Sequence, residues 1–95
     1  MRYDYETMII TSTKVGENYE KEVEKYQEII SANNGTVEKV DRWGEKRLAY
    51  EISGMNSGLY LLLTFKGDRK TINELDKRMK YDENVLRHMI IRKGM

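Results

Sequence analysis

The sequence predicts one α+β domain with the element order strand, helix, strand, strand, helix, strand, the split βαβ arrangement. Two stretches place apolar residues at helical spacing: Tyr19, Val23, Tyr26 and Ile30, with Ile29 widening the stripe, and later Ile72, Leu75 and Met79. The other apolar runs are rich in Tyr, Ile, Val and Leu and alternate with the period of a strand. Two of these runs flank Ser53-Gly54-Met55-Asn56-Ser57-Gly58, a turn by composition, and so form a hairpin. Right-handed crossovers then put both helices on one face of a four-stranded antiparallel sheet and leave the opposite face bare.

Each element follows from its residues. Residues 3–11 form the first strand, ended by Lys14-Val15-Gly16. The first helix runs from Glu17 to about Asn33, where Asn33-Asn34-Gly35 tolerate the left-handed backbone that stops a helix. Residues 36–52 carry Val37, Val40 and Trp43, then Leu48, Tyr50 and Ile52 in strict alternation. The change of parity near Gly44 predicts two strand pieces joined by a bulge or bend. Residues 59–65 return as an apolar strand, and Asp68 is a good N-cap for the second helix. Asp82-Glu83-Asn84 breaks that helix, and residues 85–93 close the chain as the fourth strand.

Composition narrows the function. Ninety-five residues leave room for a single core, and 17 Lys and Arg against 16 Asp and Glu give a net charge of +1, which excludes a uniformly basic coat. The absence of Cys removes disulfides, thiol nucleophiles and thiolate zinc sites, and fits a reducing cytoplasm. His88 is the only histidine, so a multi-His metal site and a histidine acid–base pair are excluded within one chain. The charged start Met1-Arg2-Tyr3-Asp4-Tyr5-Glu6 is no secretory signal, and no apolar run approaches a membrane span.

With Tyr5, Ile9, Leu61, Leu63 and Phe65 assigned to the helix side, the bare face receives Met8, Ile10, Tyr60 and Leu62. In the fourth strand both parities are apolar. Arg87, Met89, Ile91 and Lys93 are assigned to the bare face because this keeps the cations peripheral. Such a patch calls for a cover: a protein partner, a self-contact of the isolated chain, or draped Lys and Arg stems. Trp43 suits two readings equally, packing under the hairpin arm or anchoring an interface.

Charge is sorted along the chain. Residues 1–35 hold four Lys and Arg against seven acids, residues 36–65 four against four, and residues 66–95 nine against five. Arg2, Lys46, Arg47, Arg87, Arg92 and Lys93 therefore stand out as a phosphate-contacting rim around the sheet. Gly58-Leu59-Tyr60-Leu61-Leu62-Leu63-Thr64-Phe65 loosely matches the base-stacking strand of RNA recognition domains, but Tyr60 is its one outward aromatic. His88, in an apolar strand, reads as a packed or rim histidine rather than a proton-transfer group.

Gly44-Glu45-Lys46-Arg47-Leu48-Ala49-Tyr50-Glu51-Ile52, preceded by Val37-Glu38-Lys39-Val40-Asp41-Arg42-Trp43, resembles the bacterial small-subunit ribosomal protein six family. Each fixed position of its Gly, any residue, basic, polar, Leu-Ala-Tyr, any residue, Ile signature is met. Tyr5-Glu6, Gly58 with Tyr60, and Asp82-Glu83-Asn84-Val85-Leu86-Arg87-His88 extend the likeness over nearly the whole chain. The resemblance implies a ferredoxin-like βαββαβ domain without catalytic activity or cofactor, cytoplasmic and ribosome-associated. It also implies binding to the central region of small-subunit rRNA together with ribosomal protein eighteen of the same subunit. By the same resemblance Arg2, Arg87, Arg92 and Lys93 become candidates for phosphate contacts. Lys46 and Arg47 rank lower, because the signature arm could meet the protein partner instead. The expected partner surface is Met8, Ile10, Trp43, Tyr60, Leu62, Met89 and Ile91. The competing reading is a stand-alone single-stranded RNA module that stacks bases on the open sheet.

Two departures stand against the family pattern. Glu51 occupies a position where many members have proline, so the arm lacks that restriction on edge pairing. The sequence also stops at Met95, so the longer C-terminal tail of some members is expected to be missing, with any contact it makes.

Overall fold

A computed structural model describes residues 2–93. Its elements are β1 (Tyr3–Ser12), α1 (Tyr19–Ala32), β2 (Thr36–Ile52), β3 (Met55–Gly67), α2 (Arg69–Lys80) and β4 (Val85–Arg92), the predicted order. The strands form one antiparallel sheet in the order β2-β3-β1-β4, the ferredoxin-like arrangement.

The helix side holds the core. Ile9 of β1 and Leu61, Leu63 and Phe65 of β3 are buried against Val23, Tyr26, Ile29 and Ile30 of α1 and Leu75 and Met79 of α2. Tyr5 joins this layer by stacking on Phe65, with ring centroids 5.7 Å apart. α2 starts at the expected cap: the Asp68 carboxylate accepts from the Thr71 amide and the Thr71 hydroxyl accepts from the Asp68 amide, a closed capping box.

Register settles the parity that both faces of β4 left open. Ile9 pairs with His88 and Thr7 with Ile90, which sends His88 and Ile90 to the helix side. Met8 pairs with Met89, Ile10 with Arg87 and Glu6 with Ile91, which sends that set to the bare side. His88 Nε2 lies 3.0 Å from Asp76 Oδ1, linking β4 to α2.

The structure differs from the sequence reading at three connections. A kinked 3-10 segment, Thr13–Asn18, precedes α1, which therefore begins at Tyr19; Ser12 caps the segment by accepting from the Lys14 amide. The parity change in β2 is a register shift between Arg42 and Gly44 within one continuous strand, flanked by further shifts at Val37/Lys39 and Arg47/Ile52. The hairpin turn shrinks to Ser53 and Gly54, both at positive φ (49° and 80°), so residues 55–58 belong to β3.

Gly58, read from composition as a turn residue, is instead a point of close approach. A Cβ there would lie 2.5 Å from Ile10 Cγ2 and 3.2 Å from the Thr11 carbonyl oxygen. Gly58→Ala is expected to destabilise the fold by about 1–3 kcal/mol through this overlap. A calorimetric melting temperature within about 2 °C of wild type would show that β1 and β3 accommodate the methyl group.

Candidate protein and RNA interface

On the bare sheet face, Met8, Ile10, Tyr60 and Leu62 are half-buried at the centre. Trp43, Met89 and Ile91 around them are 45%, 51% and 47% exposed. All seven residues expected at a partner surface therefore occur on one continuous side, carried by β1, β3, β4 and the bulge of β2. The bulge between Arg42 and Gly44 turns Trp43 onto this side. Its indole stacks nearly parallel to Tyr60, with centroids 6.4 Å apart and planes 8° apart. Lys46 Nζ stands 5.4 Å above the Trp43 ring. Trp43 thus packs between Tyr60 and Lys46 while remaining 45% exposed. Tyr60 is held from behind, its carbonyl accepting from the Tyr19 hydroxyl at 2.8 Å. Burial pushes the Tyr19 hydroxyl pKa up, so the hydroxyl stays a donor at neutral pH.

Acids and bases interleave at one end of this face. Lys66 Nζ lies 3.0 Å from Asp4 and 4.0 Å from Glu38, and Lys93 Nζ lies 3.9 Å from Glu6. These exposed pairs are worth little to stability, but they fix a mixed-charge border beside the apolar centre.

The hairpin arm reaches beyond the sheet. Arg87 of β4 donates to the Tyr50 hydroxyl from the far end of β2, and its guanidinium lies 5.7 Å from the Tyr50 ring centroid. Thr13 and Met55 meet at 3.9 Å, so the hairpin tip also touches the 3-10 segment. Leu48 of the arm is buried, whereas Tyr50 stays 58% exposed. The sequence reading gave Tyr50 no role at the site, since 37 residues separate it from Arg87 and no local signal joins them.

The six cations singled out earlier are distributed rather than gathered on one rim. Arg2 donates to Thr36 Oγ1 at 2.6 Å at the β1–β2 end of the sheet. Lys46 and Arg87 are engaged with aromatic rings of the arm, Lys93 sits by Glu6, and Arg47 is exposed. Arg92 departs most from expectation. It pairs with Tyr5, lies on the helix side of β4, and stacks 3.7 Å from the Tyr3 ring centroid. Alternation along β4 separates Arg92 from Lys93 by the thickness of the sheet, which sequence adjacency conceals.

Among the described residues, no group of three or more His, Cys, Asp or Glu could hold a metal ion and no helix is long and apolar enough to cross a membrane.

Comparison with known proteins decides the family. Residues 4–92 match the family described as ribosomal protein S6. The chain belongs to that family. It is 39% identical over 92 residues to small ribosomal subunit protein bS6 of Desulforamulus reducens, covering 96% of this chain and 97% of that protein. It is likewise 39% identical over 88 residues to bS6 of Clostridium acetobutylicum, covering 92% and 93%. The crystal structure of 30S ribosomal protein S6 from Thermotoga maritima superposes with a TM-score of 0.92 at 30% identity, covering 98% of this chain and 89% of that one. An uncharacterized Thermotoga maritima protein, 16% identical with a TM-score of 0.64, shares the fold. Within the S6 family match lie the arm signature, the Gly58 approach and the apolar sheet face described above.

Proposed function

We propose that this S6-family chain is a structural, non-catalytic constituent of the small ribosomal subunit. In this reading it pairs with ribosomal protein eighteen through its open sheet face and docks with it on the central region of small-subunit rRNA. One observation carries the reading: Trp43, Met89 and Ile91 stay about half exposed on a single sheet face around a half-buried apolar centre, a surface built to be covered. The border beside it is of mixed charge, with Asp4, Glu6 and Asp41 each beside a lysine of this chain, so a basic partner would add the cations that a chain of net charge +1 lacks. Phosphate contacts then come from Arg2, Lys46, Arg47, Arg87, Arg92 and Lys93, shared among several clusters rather than drawn from one patch.

The test is a titration of a central-domain rRNA fragment at fixed salt, with and without the basic partner protein. Weak binding by the chain alone and at least about tenfold tighter binding of the pair are expected. Tight, partner-independent binding would contradict the reading. The stand-alone RNA module is less well supported, because Tyr60 and Trp43 already stack on each other and Lys46 lies over the Trp43 ring, which leaves less aromatic surface for a base. If bases did stack there, Tyr60→Ala would weaken single-strand binding by about 1–3 kcal/mol.

A further inference from the structure

The helix layer is polarised in charge. α1 carries two lysines against four glutamates, and Glu20 and Glu22 among these are held by Arg42 and Lys25. α2 carries five Lys and Arg against two acids, and none of the five forms an ion pair among the described residues. Elsewhere the pattern is the reverse: Lys25, Lys39, Arg42, Lys66 and Lys93 each lie beside a carboxylate.

Helical geometry gathers most of these cations on one side. At about 100° per residue, Arg69, Lys70, Asn73, Lys77 and Lys80 fall within an arc of about 100°, opposite the buried Thr71, Leu75 and Met79, and all of them are exposed. The stripe holds no acid and no aromatic ring, and it runs for about 16 Å. Glu74 and Asp76 stand at its flanks, and Asp76 Oδ1 already lies 3.0 Å from His88 Nε2. Asn73 occupies the place from which a carboxylate would reach both Arg69 and Lys77 at a spacing of four.

Helix stability does not account for this arrangement. Lys77, Arg78 and Lys80 in the last turn suit the negative end of the helix dipole. Arg69 and Lys70 sit in the first turn, where a cation is unfavourable and where no acid is present. Cations held against the dipole and without a counter-charge mark a surface suited to an anion from outside the chain.

We propose that the outer face of α2 docks on the phosphate backbone of an RNA duplex. A rigid row of cations suits a regular array of anions, and for a member of a ribosomal protein family that array is an RNA helix. The stripe offers no ring for base stacking, so contact is made to phosphates and 2′-hydroxyls across the shallow minor groove, with little sequence preference. This surface shares no residue with the cations assigned to phosphate above. It also lies across the sheet from the open face, so both sides can be occupied at once.

The test is fluorescence anisotropy of a labelled RNA duplex of about 16 base pairs with the full chain, at about 50 mM and about 200 mM salt. Binding at the lower salt is expected. Arg69→Gln with Lys70→Gln, and separately Lys77→Gln with Lys80→Gln, should each weaken it by about tenfold and reduce the salt dependence by about one phosphate contact per cation removed. Lys14→Gln with Lys21→Gln removes the same charge from exposed lysines outside α2 and is expected to leave the affinity within about twofold of wild type. The Arg69 and Lys70 variant should melt no lower than wild type, since its cations oppose the dipole, which separates lost binding from lost folding. Affinity for the basic partner protein should be unchanged in both α2 variants, so this result stands apart from the reading of the open face. Absence of duplex binding by wild type, unchanged affinity in both α2 variants, or an equal loss in the Lys14 and Lys21 control would overturn the proposal. Competition by single-stranded RNA or a polyglutamate peptide as effective as that by unlabelled duplex would overturn it too.

Discussion

Met89→Asp and Ile91→Asp are each expected to weaken association with the basic partner protein by about 30-fold or more, while the melting temperature falls by less than about 4 °C. The asymmetry follows from where the side chains stand. Met89 and Ile91 are 51% and 47% exposed, so a carboxylate at either position stays hydrated in the free chain and leaves no core cavity. In the complex a carboxylate at position 89 would be enclosed beside Met8 and Leu62, and one at position 91 beside Glu6, so each would have to be desolvated without a partner. Calorimetric binding and thermal melting on the same preparations separate the two effects. A loss of folding as large as the loss of binding would show that these residues belong to the core of the isolated chain. Unchanged binding would move the partner to another surface.

Asp82→Ala is expected to destabilise the fold by about 3 kcal/mol, a fall of roughly 12–20 °C in melting temperature. Asp82 lies in the turn between α2 and β4, and its carboxylate gathers several donors. It accepts from Lys25 Nζ at 2.6 Å, from the Tyr26 hydroxyl at 2.5 Å and from the Asn84 amide at 2.9 Å. Tyr26 is fully buried in α1, so removing Asp82 strands its hydroxyl in the core. Tyr26→Phe removes the donor together with its need for a partner and is expected to cost only about 1 kcal/mol. Equal losses for the two substitutions would show that the buried hydroxyl finds another acceptor.

The same carboxylate sets an acid dependence. Partial burial pushes the Asp82 pKa up, and the hydrogen bonds from Lys25, Tyr26 and the Asn84 amide outweigh this and hold it below the usual carboxylate value. A depressed folded pKa contributes stability above the unfolded value, which is lost as pH falls from about 5 through the folded value. Glu22 acts in the opposite sense, because burial raises its pKa despite the Lys25 hydrogen bond. Its contribution is present at low pH and lost as pH rises through the raised value, which offsets part of the Asp82 effect. Wild type should therefore lose stability in acid more steeply than Asp82→Ala, as urea unfolding at several pH values between about 2 and 6 would measure. Parallel curves would contradict this assignment.

Local pattern made much of the fold legible. Tyr26 and Ile30 at helical spacing, the alternation of Leu61, Leu63 and Phe65, and the Asp68 cap each report a preference that neighbours along the chain already satisfy, and the structure keeps all of them. The hairpin turn was misread because Asn56-Ser57-Gly58 has turn composition for another reason. Gly58 is small so that Ile10 can approach across the sheet, and nothing nearby in sequence records that demand. The surface was legible in its residue types but not in its grouping. Trp43 meets Tyr60 only through the β2 bulge, and Tyr50 meets Arg87 only because the arm extends past β1 to β4.

The sequence by itself determined the element order, the helix-side core, the family and the excess of apolar side chains beyond what one core can hold. Only the tertiary structure decided the parity of β4 and the partition of the cations. The reason is that periodicity states which residues share a face, while pairing register states which face that is. In β4, where both parities are apolar, long-range pairing with β1 alone sends Met89 outward and Arg92 to the helix side.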